Sequence, residues 1–225
     1  ANGSVAPLAP DPSCALRTIR ALLAKAEATD FEAEADAFTA KAQELMTRYS
    51  IDTAMLAAAA ASPGLPSGVA SSRVHLDSPY ADEKATFLSV LADVNKVRCV
   101  YSQWSGFSTL VGFPVDIQLT EVLFTSLLVQ ATHASHVATS HDRRLSTASF
   151  KRAFLVSYAD RIGERLADAT RQVTPDAATM YGADLAPVLA SFPDPDPERA
   201  FEPAQCIRAV LRGGQRMIDL PRTVA

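Results

Sequence analysis

The chain has 225 residues, of which 48% are hydrophobic and 20% charged, and its formal net charge is −4. This balance excludes a wholly disordered chain and supplies ample apolar surface for a core. It lacks the overall basic character of a nucleic-acid coat, while leaving room for a local basic patch.

The residues before Pro12 contain no Lys or Arg, so the basic start of a secretory signal is missing. Asp11 and Pro12 read as the cap and first position of a helix, continued by Leu16, Ile19, Leu22, Leu23 and Ala26 at helical spacing. Thr29 and Asp30 interrupt the pattern and can cap a second helix, with Glu32 placed to close a Thr-x-x-Glu box. In that helix Phe31, Ala35, Phe38, Ala42, Leu45 and Tyr49 share one face, and Glu34, Asp36, Lys41, Glu44 and Arg48 fall mostly off it. The pair predicts an αα-hairpin, followed by a third short helix capped by Asp52. Residues 62–72 are rich in Ser, Pro and Gly and read as a linker.

Beyond it, Arg73 to Asp77 reads as a short strand and Glu83 to Asn95 as a helix. Alternation around Cys99 and again around Val111, with Ser105-Gly106 between, predicts a β-hairpin. Pro114 opens a long helix to about His136 that is apolar nearly all round, and so predicts a buried spine. Ser149 to Arg171 forms a last amphipathic helix, with Leu155, Tyr158, Ile162, Leu166 and Ala169 inside. Residues 173–225 are proline-rich and acidic and predict an irregular tail, with a short helix near Pro203 to Arg212. Cys14, Cys99 and Cys206 are too sparse for a disulfide framework, and no uncharged apolar run is long enough to span a membrane. A cytoplasmic protein with no membrane partner is the expectation.

One segment carries a family pattern. Ile19-Arg20-Ala21-Leu22-Leu23-Ala24-Lys25-Ala26-Glu27, then Lys41-Ala42-Gln43-Glu44-Leu45-Met46 and Ile51-Asp52, resembles the bacterial and phage domain-of-unknown-function family 2786. Val111 to Asp116, Leu123 to Leu128, Ser149 to Phe154 and Arg161 to Leu166 resemble the segment that commonly follows it. The resemblance implies a fold but no established activity, so it carries over no catalytic residues.

No phosphate-binding loop, H-E-x-x-H or G-x-S-x-G occurs. His133 and His136 stand three apart on one helix, with His141 and Asp142 just beyond, a set that would suit zinc; the plainer alternative is polar residues at a solvated helix end. Over 141–171 seven bases face four acids, centred on Arg143, Arg144, Lys151 and Arg152 and continued by Arg161 and Arg165. This cluster could neutralise phosphates, against the plainer alternative of a solvated face with ion pairs. Lys25, Lys41, Gln43 and Glu44 could form a partner-binding face, against the plainer alternative of simple solvation. Trp104 and Phe107, with Tyr101 nearby, flank the hairpin turn, where exposed aromatics stack on bases or fill partner pockets; packing back onto the sheet is the plainer alternative.

These readings predict an α+β protein: a helical module at 11–61, the linker at 62–72, and a small antiparallel sheet packed by two long helices at 73–172. The leading functional expectation is a non-enzymatic interaction module binding an anionic partner, nucleic acid above all, through the basic patch. The alternatives are a metal-dependent enzyme using the His/Asp cluster and a protein-docking module of a phage or host assembly.

Overall fold

The computed structural model describes residues 12–60, 69–141 and 147–181. In chain order these form α1 (Pro12–Ala28), α2 (Glu32–Ala60), β1 (Ala70–His75), α3 (Ala81–Val94), β2 (Arg98–Ser102), β3 (Phe107–Gly112), α4 (Pro114–His141) and α5 (Ala148–Tyr181). The architecture is α+β, with one antiparallel three-stranded sheet in the order β1-β3-β2.

The turn between α1 and α2 is held by Thr29. Its Oγ1 accepts a bond from Phe31 N at 3.2 Å and donates to Glu34 Oε2 at 2.7 Å. The side-chain partner is thus Glu34, not Glu32, because the helix starts later than the Thr-x-x-Glu spacing assumes. Asp11, the expected cap of α1, lies outside the described residues. No third short helix follows Asp52; α2 runs on through it to Ala60, because Ser50 and Asp52 face neighbours instead of breaking the helix. The expected linker also ends early, since residues 70–72 already belong to β1.

The buried stripe of α2 keeps Ala42 and Tyr49 of the expected apolar face but is rotated to take in Thr39, Gln43 and Met46. Phe31 is 69% exposed, while Thr39, Ala42, Gln43, Met46 and Tyr49 are buried. Gln43 is 0% exposed, and its Nε2 donates to Asn95 Oδ1 and Thr170 Oγ1, each at 3.1 Å. One amide therefore joins α2 to the end of α3 and to α5. Gln43 does not contribute to an exposed face with Lys25, Lys41 and Glu44; Lys41 pairs with Glu44 at 2.6 Å, and Lys25 lies over the Phe38 ring.

α4 packs against α1, α2, α3, α5, β1 and β3, as its apolar circumference requires. α3 and α4 lie against the strands, and α5 packs on α2 and α3. A Cβ at Gly163 of α5 would collide with Val90 of α3, so glycine permits this approach. Ile19, Leu23 and Met46 share a single core with Phe87, Leu110, Leu123 and Leu166, so the helical hairpin and the sheet region pack as one body. α3 turns into β2 through paired bonds from Val97 N to Ala92 O and from Lys96 N to Asp93 O, with Lys96 left-handed at φ 60°. α5 continues to Tyr181 through Pro175, so residues 173–181 are helical and not part of an irregular tail. The remaining tail, including the expected helix near Pro203 to Arg212, lies outside the described residues.

Asp116 is the notable buried acid, 3% exposed in the first turn of α4. A helix N-terminus favours the ionised form by at most about 1–2 kcal/mol. Burial outweighs this and pushes the carboxyl up to about 6, against a hydrogen bond from Ser50 of α2 that acts the other way.

The folded state holds the Asp116 proton more tightly than the unfolded chain, whose carboxyl titrates near 3.8. The resulting stability is complete below that pH and is lost as pH rises through about 6, a span of about 3 kcal/mol. Asp116→Asn should remove this part of the pH dependence, read as the difference between the two proteins' urea-denaturation stabilities from pH 4 to 7. Gln43→Ala should cost about 2–4 kcal/mol in the same measurement, because it opens a cavity and removes the partner of Asn95 and Thr170.

Candidate functional site

The basic cluster does not form an open island. Arg152 Nε faces Glu83 Oε1 of α3 at 3.4 Å, and Arg161 meets Glu32 of α2 at 2.9 Å. Arg165 pairs with Asp36 of α2, both side chains about 30% exposed. Three guanidinium groups that were expected to share one free face are each matched by an acid from another helix. The net charge of 141–171 misses this cancellation, because the neutralising acids lie outside that stretch. Arg143 and Arg144 lie outside the described residues. Lys151 departs from its neighbours and lines a groove between α3, α4 and α5.

His133 and His136 are both exposed on α4. His141 ends that helix, and Asp142 lies outside the described residues. Among the described residues no three His, Cys, Asp or Glu side chains come together as a metal-binding set. Cys99 sits on the covered face of the sheet, where burial pushes its thiol up to about 11. A thiol so far from ionisation near neutral pH is a poor nucleophile.

The sheet presents a different surface. Alternation sends Ala70, Ser72, Val74, Cys99, Tyr101, Ser108 and Leu110 to the side of α3 and α4. There Ser72 donates to Glu121 of α4 at 2.6 Å and Tyr101 OH donates to Asp82 of α3 at 2.9 Å. Tyr101 is therefore not an exposed aromatic. The opposite face reads across the strands in three rows: Ser71, Val111, Arg98; Arg73, Thr109, Val100; His75, Phe107, Ser102. No carboxylate stands in these rows. Arg73, Val100 and Phe107 are exposed, and the His75 and Phe107 rings meet edge-on at 4.9 Å. Asp77 holds His75 Nδ1 at 2.9 Å beside the face.

The β2–β3 connection places one more aromatic beyond the last row. Ser102 and Phe107 close the ladder, and Gly106, at φ 65°, bonds back to Ser102 O at 3.0 Å. The positive φ is why glycine stands there. Trp104, at the tip, is 102% exposed and does not fold back onto the sheet as the plainer alternative expected. The signal for this face was present in the sequence as aromatics flanking a turn. The exposed row of Arg73 and Val100 was not, because it depends on which side α3 and α4 take.

The described residues thus define an α+β protein with one face of its small sheet covered and the other exposed toward the hairpin end, at Arg73, Val100, His75 and Phe107, while Val111 in the far row is buried. Residues 15–53, spanning α1 and most of α2, match the family described as protein of unknown function (DUF2786). No curated protein and no solved structure matches the chain. Among the described residues, no helix is long and apolar enough to cross a membrane.

If the Arg165–Asp36 pair ties α5 to α2, Arg165→Glu should lower stability by about 1 kcal/mol, and adding Asp36→Arg should restore most of it, read as a double-mutant cycle in thermal denaturation.

Proposed function

We propose that this chain is a non-enzymatic interaction module that binds single-stranded nucleic acid on the open face of its sheet. The observation that carries the reading is Trp104, fully exposed at the tip of the hairpin beyond a sheet face that bears exposed Arg73 and Phe107. Aromatic rings stack on unpaired bases and guanidinium groups meet the phosphates between them. Three strands about 4.8 Å apart give a platform for roughly two or three nucleotides. A duplex hides its base faces, so this surface favours single strands over double ones.

The basic cluster on α5 contributes little to this reading, because Arg152, Arg161 and Arg165 already have carboxylate partners. The free thiols of Cys14 and Cys99 accord with a reducing, cytoplasmic setting.

Trp104 is the chain's one tryptophan, so its intrinsic fluorescence reports the hairpin tip directly. Titration with short oligo-dT and oligo-U at low salt should quench it and raise the anisotropy of a labelled strand, with affinity falling as salt rises. Trp104→Ala should weaken binding by about tenfold or more. Arg73→Glu should weaken it as well, and Arg161→Glu should leave it unchanged. Unquenched fluorescence together with unchanged anisotropy would overturn the reading, as would binding that is indifferent to Trp104.

A further inference from the structure

We propose that the groove between α3, α4 and α5 is a binding site for an amphiphilic carboxylate, a small molecule with one anionic head and an apolar body. The cavity measures about 340 Å³, within the range of small-ligand sites. Leu128 of α4 and Leu155 of α5 give it an apolar floor. Lys84 of α3, His136 of α4 and Lys151 of α5 line it together, so three separate helices each bring a nitrogen-bearing side chain to one cavity.

The lining is electrostatically one-sided. No carboxylate of a described residue lines the groove, on a chain whose net charge is −4. The acids nearby in sequence are occupied elsewhere: Glu83 faces Arg152, and Asp77 holds His75. Asp77 also accepts a bond from Lys84 Nζ through its backbone carbonyl at 2.8 Å. That bond fixes the ammonium and leaves two of its three N–H donors for a ligand. Tyr80, also in the lining, stands at φ 69°, a left-handed conformation that is costly for a tyrosine and persists only where its surroundings hold it.

These features select a ligand by exclusion. A bare anion gains nothing from the leucine floor, and a neutral apolar molecule gives the two ammonium groups no counter-charge. A carboxylate on a short hydrocarbon satisfies both parts. The groove uses none of the residues on the open sheet face, so this site stands independently of the nucleic-acid reading.

The test is a titration of the full chain with octanoate, followed by backbone amide shifts and calorimetry. Octanol and octylammonium supply the same body without the negative charge, and inorganic phosphate supplies an anion without the body. Octanoate should saturate a site whose shifts centre on Tyr80, His136 and Lys151, with the three comparison compounds weaker by about tenfold or more. Lys84→Gln combined with Lys151→Gln should weaken octanoate about tenfold at unchanged melting temperature, and leave Trp104 fluorescence quenching by oligo-dT intact. Equal binding of octanol, shifts centred elsewhere, or affinity indifferent to the two lysines would each overturn the site.

Discussion

A single buried amide sets the arrangement on which the other surfaces depend. Gln43 lies at full burial where α2 meets the end of α3 and the middle of α5. Burying that amide costs free energy that the Nε2 bonds to Asn95 and Thr170 offset only in part, because the buried Oε1 has no partner among the described residues; those bonds still hold the three helices in register as well as in proximity. With α2 so placed, Glu32 and Asp36 come opposite Arg161 and Arg165. With α3 so placed, Glu83 reaches Arg152, and the next residue, Lys84, turns into the groove beside Lys151. The family segment at 15–53 therefore does more than precede the sheet region; it neutralises the outer helix of the fold.

This explains why local charge counting misjudged the surface. Seven bases against four acids within 141–171 suggested a free positive face. Ion pairs ignore chain order, and the acids that meet Arg161 and Arg165 are 129 residues away in each case. Each exposed pair contributes little to stability, on the order of 1 kcal/mol or less, but each removes a free cation from the surface. Positive charge gathers instead where the helices leave space between them, at Lys84 and Lys151, and Arg73 stands exposed on the sheet.

The legible parts of the fold were those written in short-range periodicity. The first helix, the hairpin around Gly106 and the spine beginning at Pro114 follow from spacing, turn residues and an apolar circumference. What stayed hidden was set by distant partners. Thr39 and Gln43 look solvent-facing by residue type, yet they lie on the buried stripe of α2. Asp52 looks like the cap of a new helix, yet α2 runs through it, and the nearby Ser50 meets Asp116 across the fold. The proline-rich composition beyond residue 172 predicts an irregular tail, yet α5 continues through the exposed Pro175 to Tyr181. For the site, Trp104 and Phe107 were visible as candidates, while the rows of Arg73 and Arg98 beside them required the strand order β1-β3-β2.

The same strand order bears on what kind of partner the sheet face can accept. β1 and β2 are both edges, so a protein could in principle add a strand to either. Strand addition uses the backbone edge and leaves the sheet's flat face idle. Here the distinguishing features lie on the flat face and at the hairpin tip, perpendicular to the edges: Phe107 packed edge-on against His75, Arg73 beside Val100, and Trp104 beyond the last ladder pair. A tryptophan at the tip contributes nothing to the core, since none of its surface is removed from water. Its placement makes physical sense if its burial occurs on contact with something else, and an aromatic ring beyond a flat face bearing Phe107 and Arg73 suits a planar, polar-edged partner better than an added peptide strand.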